Sequence, residues 1–183
     1  MKSKKVRIIS IVFFLILFLT ACKISFKNED LTVYNIYKIN DTLVFKNEFG
    51  QTKKFAIISK NIINKGWDEN TGLYNPQVAY VKYKDFSKPE TIYYDNSFLT
   101  IYQKTKNEIE ETIYFNNFLG SIDRDRQKTK EFSSLYSEQI YKIPKFDITT
   151  VRDSNDISYV YWTDKSGIIS YEYKNGDKWA LVK

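Results

Sequence analysis

Few residue types in this sequence could carry covalent or metal chemistry. The chain contains one cysteine, Cys22, and no histidine. The missing imidazole excludes Ser-His-Asp and Cys-His nucleophiles, histidine general bases and histidine-ligated metals. A single thiol cannot form a disulfide within the chain, so we expect the fold to depend on packing alone. Carboxylate, tyrosine, lysine and Ser-Lys chemistry remain open.

The carboxylates form no recognisable catalytic or metal-binding pattern. Glu110 and Glu111 are adjacent on a predicted strand, so their side chains point to opposite faces and cannot form a glycosidase pair together. Calcium loops that begin at Asp68 or Asp123 lack the glycine at the sixth position and the glutamate at the twelfth. The sequence has no phosphate-binding glycine loop and no G-x-S-x-G elbow. We expect no metal, no cofactor and no catalytic residue.

The three tryptophans are candidates for stacking against a ligand. Trp67 lies in a loop-like segment, 65–72, where binding residues tend to occur, and it is our candidate ligand contact. The alternative is that Trp67 caps the core. Trp162 and Trp179 lie on predicted strands, and we expect both to be buried in the core instead of forming a platform for sugar rings.

Cys22 follows a segment with the order of a secretory signal. Four basic residues within the first seven positions precede an apolar run, 8–19, in which Ser10 is the only polar residue. The run has twelve residues, whereas a helix needs about 20 to span a bilayer. A cationic start, a short apolar run and a small-residue end are typical of a signal peptide. We therefore predict that residues 1–21 are removed.

Leu19-Thr20-Ala21-Cys22 resembles the lipobox of bacterial lipoproteins. The resemblance implies that signal peptidase II cuts between Ala21 and Cys22, and that Cys22 receives a diacylglyceryl group and usually a further acyl chain. Two or more chains anchor a protein stably, whereas one holds it only marginally. In Gram-negative lipoproteins, an aspartate directly after the acylated cysteine is the signal for retention in the inner membrane. This sequence has Lys23 at that position, so the resemblance implies the outer membrane instead of the inner one. The alternatives are an ordinary signal peptide with a chance cysteine and an uncleaved helical anchor.

Length and charge predict one domain after this segment. Residues 22–32 are expected to form the acylated cysteine and a tether, and residues 33–183 a single β domain. Four of the 28 basic residues and none of the 22 acidic ones precede Cys22, so the formal charge falls from +6 to +2. Such a balance gives no reason to expect a nucleic-acid partner, which requires a clustered basic face.

The fold class follows from short apolar runs separated by turn signals. Tyrosine and phenylalanine are plentiful, at 15 and 13 residues, while the sequence has only 3 prolines and 6 glycines. We predict an all-β domain of about nine to eleven short strands, arranged as a single antiparallel sandwich or a partly open barrel. The runs of strand length are 33–39, 42–46, 53–59, 77–84, 91–95, 98–104, 109–115, 140–143, 147–151, 157–163, 168–174 and 177–182.

Two segments lack strand patterning, and the last turn has a predictable register. We expect 121–131 to be a solvated loop, and 132–139 is compatible with a short helix. A three-residue Lys174-Asn175-Gly176 loop with left-handed Gly176 would place Glu172 opposite Lys178, Tyr171 opposite Trp179 and Ile169 opposite Leu181. This register pairs opposite charges and apolar side chains, so we prefer it to a two-residue turn.

Parts of the domain resemble small uncharacterised lipoproteins of Bacteroidota. The resemblance is carried by residues 160–169 and 171–181 near the carboxyl end and by Asp41-Thr42-Leu43-Val44-Phe45 near the start. It covers about a third of the chain and implies no activity. The sequence thus predicts a non-enzymatic, lipid-anchored cell-envelope protein, with membrane lipid as one partner and an envelope protein or glycan as another. The alternatives are a carbohydrate- or apolar-ligand-binding lipoprotein and a carboxylate-dependent glycan hydrolase.

Overall fold

A computed structural model describes most of the domain. The described residues are 25–66, 76–86, 97–105, 107–116, 118–122, 126–146 and 156–182. The runs 91–95 and 147–151, which the sequence predicts as strands, lie outside these ranges.

The regular secondary structure of the described residues is almost entirely β-strand. A 3₁₀ turn, Glu29–Leu31, leads into one short helix, α1, Thr32–Asn35. The strands are β1 Thr42–Asn47, β2 Thr52–Asn64, β3 Gln77–Asp85, β4 Ser97–Gln103, β5 Ile109–Phe115, β6 Phe118–Ser121, β7 Gln127–Thr129, β8 Ile140–Pro144, β9 Ile157–Thr163, β10 Gly167–Tyr173 and β11 Lys178–Leu181.

All eleven strands belong to one antiparallel sheet that curls into a half-barrel. The sheet consists of two meanders, β1 to β6 and β7 to β11, whose strands neighbour each other in chain order. β1 and β11 join the meanders, with Phe45 opposite Leu181 and Asn47 opposite Trp179. The two outer edges of the sheet also approach each other. Phe146, just after β8, donates its N–H to the carbonyl of Leu119 on β6 at 2.8 Å. The predicted all-β class is confirmed, and of the two predicted architectures the structure is the partly open barrel.

Aromatic side chains fill the inside of the curl. Strand alternation turns one side chain in two inward, as in β5, where Ile113 and Phe115 are buried while Tyr114 is exposed. Phe115 lies at the centre of this core. Its ring centroid is 4.8 to 5.9 Å from those of five other rings, namely Phe45, Phe55, Tyr83, Phe98 and Tyr171. Edge-to-face and tilted contacts at these distances are favourable aromatic geometries.

The segment before β1 packs against one end of the half-barrel. Tyr37 is buried, and its hydroxyl accepts a 2.9 Å hydrogen bond from the Ile168 N–H. Gly167 allows this close approach, since it has a φ of 72° and a Cβ there would lie 2.6 Å from Tyr37 Cζ. Further upstream, Phe26 packs on the core and its N–H donates to Gln77 Oε1 at 2.7 Å. Among the described residues, packing against the domain therefore begins at Phe26.

The predicted register of the last turn is confirmed at the pairs that the structure defines. Tyr171 lies opposite Trp179 and Glu172 opposite Lys178. Gly176 has a φ of 88°, and its N–H donates to the Tyr173 carbonyl at 3.0 Å. The loop is thus the predicted three-residue type with a left-handed glycine.

Three local predictions are wrong. Residues 33–39 are not a strand, because Val33 and Tyr37, four residues apart, both turn inward from α1 and the turn that follows it. The supposed loop 121–131 contains β7, a polar edge strand without apolar alternation. Residues 132–139 form turns instead of a helix. There Phe132 has a left-handed φ of 63°, which a helix cannot contain.

Candidate functional site

The structure tests some of the residues that the sequence singles out. Cys22 and Trp67 lie outside the described residues. Trp162 and Trp179 are buried, with 0% and 4% of their surface exposed, so the prediction that they belong to the core is confirmed. Glu110 and Glu111 alternate between half-buried and buried positions on β5, as expected for opposite faces of a strand.

Polar and ionisable side chains converge instead on the outer face of the second meander. Residues 130–139, which we call the strap, run between β7 and β8 and cross this face. Phe132 and Tyr136 of the strap pack on a small apolar cluster that includes Tyr161 and Ile169. The Phe132 ring lies 5.1 Å from that of Tyr161 in an edge-to-face arrangement. This cluster is separate from the core inside the curl and holds the strap on the sheet.

Glu131 begins a compact charged network beneath the strap. Its carboxylate lies 3.5 Å from Lys142 Nζ on β8 and 3.0 Å from Lys178 Nζ on β11. The same carboxylate is 2.8 Å from the Tyr161 hydroxyl of β9, which is also 2.8 Å from the Glu172 carboxylate of β10. One strap residue is thus connected to four neighbouring strands.

The buried Tyr161 hydroxyl lies between two carboxylates but has only one hydrogen. It can donate to Glu131 or to Glu172 at any moment, not to both. Lys178 compensates for this deficit, because its Nζ is 3.0 Å from Glu131 and 3.4 Å from Glu172. The network carries two negative and two positive side chains when Lys142 is included, so it is formally neutral.

The pKa shifts follow from this arrangement. Burial raises the pKa of Tyr161, and hydrogen bonds to Glu172 and Glu131 raise it further. For Glu131, burial alone would raise the pKa, but hydrogen bonds from Lys178 and Tyr161 outweigh burial and hold the pKa below its ordinary value. The hydrogen bond to Glu131 raises the pKa of Lys178. Each shift favours an ionised Glu131 facing a neutral Tyr161 and a cationic Lys178.

A hydroxyl-lined pocket of about 410 Å³ lies at the other end of the strap. Glu138 closes one wall: its two carboxylate oxygens accept a 2.9 Å hydrogen bond from Ser166 Oγ and a 3.1 Å hydrogen bond from the Lys165 N–H. The turn between β9 and β10 therefore fixes this wall. The lining residues are Ser133, Ser134, Leu135, Tyr136, Ser137, Glu138 and Ser166.

The two ends of the strap differ in what they can do chemically. Glu131 and Glu172 are close enough for a pair of hydrolytic carboxylates, but glycan hydrolysis needs one of the two protonated near neutral pH. Two lysines instead favour the ionised form of Glu131. The pocket presents serine hydroxyls, which can donate and accept hydrogen bonds with a polar ligand. Within the described ranges, no group of three or more acidic or cysteine residues could hold a metal ion.

Sequence reasoning found part of this site and missed the rest. The register of β10 and β11 already placed Glu172 opposite Lys178, which is half of the network. The sequence predicts a solvated loop around Glu131, because nothing in its local sequence shows which strands it crosses. The usable signal was the alternation of Tyr159 and Tyr161 with the core residues Val160 and Trp162, which turns two aromatic side chains to the outer face.

The class of this protein is defined by its fold alone: it is an all-β domain built on one curled antiparallel sheet. No family model, curated protein or solved structure matches the chain. No helix among the described residues has the length and apolar character needed to cross a membrane.

Proposed function

We propose that the chain is a lipid-anchored cell-envelope protein whose β domain has a non-enzymatic binding or structural role. The observation that carries the proposal is the position of Cys22, the only cysteine, directly after Leu19-Thr20-Ala21 and a short apolar run. A single thiol cannot form a disulfide within the chain, whereas acylation would make Cys22 the membrane anchor. Lys23 favours the outer membrane in an organism that has one.

Three features support a non-enzymatic role for the domain. The sequence has no histidine, so the commonest general base is missing. The Glu131–Glu172 pair is neutralised by lysines, which disfavours the protonated acid that a carboxylate hydrolase needs. Among the described residues, aromatic side chains fill the inside of the curl. These features leave the outer surface for recognition.

Metabolic labelling tests the anchor directly. Cells that express the full chain with labelled palmitate should incorporate the label into the wild-type protein and not into a Cys22→Ser variant. Mass spectrometry should then find an acylated peptide that begins at Cys22. Recovery of a peptide that begins at Met1 from the mature protein, or equal labelling of the variant, would contradict the proposal.

A second candidate function is the binding of an envelope glycan at the serine-lined pocket. The favouring observation is the concentration of four serines, Tyr136 and Glu138 around a pocket of about 410 Å³. Sugar hydroxyls are matched by side chains that both donate and accept hydrogen bonds, beside an aromatic ring. Such a ligand would bind at the strap, on the outer face of the sheet.

Titration calorimetry with soluble peptidoglycan fragments tests this candidate. A Ser133→Ala, Ser137→Ala double variant should bind about tenfold more weakly, because each lost hydrogen bond contributes about 0.5–1.5 kcal/mol. Ser59→Ala, on β2 and away from the strap, serves as the matched control and should bind like the wild type. Equal affinities of the pocket variant and the control would contradict glycan binding at this pocket.

A further inference from the structure

β2 extends beyond β1 and carries exposed isoleucines along the overhang. The pairing of β1 with β2 begins at Ala56, whereas β2 continues to Asn64, and among the described residues its last part pairs only with β3. Ile39 lies beside the overhang, since the neighbouring Asn40 N–H donates to the Ile57 carbonyl. We call the exposed apolar side chains here the isoleucine edge; they are Ile39, Ile58, Ile62 and Ile63, between 41% and 52% exposed.

The exposed apolar side chains of the isoleucine edge are grouped together instead of scattered over the surface. It contains four of the nine large apolar side chains that are exposed in the described parts of the chain. Single exposed apolar residues are normal, but a free strand edge lined with them promotes association unless something covers it. Ile62 and Ile63 point to opposite faces of the strand, so both sides of the overhang are apolar.

The start of the folded domain lies at the same place. The Phe26 N–H donates to Gln77 Oε1 at 2.7 Å, and Gln77 pairs with Asn64, the last residue of the overhang. Ser25 follows Cys22 by only three residues, so their Cα atoms are separated by at most roughly 11 Å. Phe26, which contacts the domain, thus lies only a few residues after Cys22 in the sequence.

We propose that the isoleucine edge lies in the surface of the phospholipid leaflet that holds the acyl chains of Cys22. This inference rests on the proposed lipid anchor, because an acylated Cys22 would hold the leaflet close to this end of the domain. Apolar side chains that enter the interface are stabilised by the area they bury. Two lysines near this end, Lys27 and Lys65, are exposed and can reach lipid phosphates. Glu29 lies 3.5 Å from Lys27, so apolar contact is the main attraction.

The orientation can be measured because the chain has no other thiol once Cys22 is acylated. Ile63→Cys and, as the matched control, Phe49→Cys each introduce one labelling site. Phe49 is 75% exposed on the turn between β1 and β2, which is the opposite end of β2. The full acylated chain, labelled with an environment-sensitive fluorophore, is reconstituted in phosphatidylethanolamine–phosphatidylglycerol vesicles with brominated acyl chains.

We expect the brominated lipid to quench the label at position 63 at least about twofold more than the label at position 49, as for a group buried in the interface. Equal quenching at the two positions, in protein whose acylation is verified by mass, would overturn this inference and leave the anchor intact. Absence of acylation would instead overturn the proposed function. If quenching at position 63 depended on the density of protein instead of on the lipid, the isoleucine edge would contact a second copy of the chain. That result would also overturn the inference.

A second measurement does not depend on the label. The Cys22→Ser chain without residues 1–21 should bind weakly to the same vesicles. An Ile62→Ser, Ile63→Ser variant of that chain should partition about fivefold less, because two partly exposed isoleucines no longer bury apolar area. Phe49→Ser is the control and should partition unchanged. Equal partitioning of both variants would contradict the proposed contact.

Discussion

Gly167 and Tyr37 depend on each other at the start of β10. The Tyr37 ring occupies the space that a side chain at position 167 would need, and its hydroxyl accepts the Ile168 N–H. Burial raises the pKa of Tyr37, so the hydroxyl stays neutral at physiological pH. The segment before β1 is thereby fixed to β10, more than a hundred residues later in the chain.

Replacing Gly167 should show how much this contact contributes. Gly176 is the matched control, since its φ of 88° is also left-handed but no atom lies within 4 Å of the Cβ position. Gly176→Ala should cost about 1–2 kcal/mol from backbone strain alone. Gly167→Ala should cost about 1–3 kcal/mol more, because Tyr37 must move. Urea unfolding measures both variants, and equal losses would contradict the contact.

The strap is the element whose attachment depends on charge. Its apolar residues pack on the sheet, but Phe132 adopts a left-handed backbone conformation that is unfavourable for a large side chain. The ring contact with Tyr161 and the Glu131 network offset this cost. The attachment of the strap should therefore be sensitive to acid.

Acid should weaken the strap through Glu131. Its pKa in the folded protein is lowered from the ordinary value of 4.5, so its stabilising contribution is complete above pH 4.5 and is lost as the pH falls through the lower folded value. The free energy of unfolding between pH 6 and pH 3 should thus fall less steeply in Glu131→Gln than in the wild type. Glu48→Gln, on the exposed turn after β1, is the control. A Glu131→Gln profile parallel to the wild type would refute this role.

Sequence patterns predicted the elements that alternate and missed those that depend on distant partners. The pairs Tyr171–Trp179 and Glu172–Lys178 were predictable because a tight turn fixes register locally. Val33 and Tyr37 were assigned to a strand because helical spacing is hard to recognise over a single turn. The strap and β7 could not be placed, because β7 lacks apolar alternation and the strap contacts side chains of four strands that all follow it in the sequence. The assignments of Cys22 and Trp67 remain predictions.

At the scale of the whole molecule, one continuous aromatic core connects the two meanders. Phe115 of the first meander contacts Tyr171 of the second at 5.1 Å between ring centroids, and it is 1% exposed. Close packing of these rings therefore stabilises the contact between the two meanders. A side chain removed here leaves a cavity that neighbouring rings cannot close completely.

Phe115→Ala should therefore lower the free energy of unfolding by about 3–5 kcal/mol. Phe49→Ala, which removes the same side chain from an exposed turn, should change it by less than about 0.5 kcal/mol. Chemical denaturation with intrinsic fluorescence measures both variants. A loss below about 1 kcal/mol for Phe115→Ala would mean that the ring cluster is not the main core.

The pairing of β1 with β11 also has a consequence for biosynthesis. β1 is synthesised well before β11, so the strand that lies between β1 and β10 in the sheet appears more than a hundred residues after β1. Until then β1 has an open hydrogen-bonding edge, and completion of the sheet must wait for a contact between strands that lie far apart in the sequence. A product that stops before Lys178 would retain that edge permanently. Pairing with β11 thus covers the edge of β1, and a chain without β11 would present that strand edge to other chains.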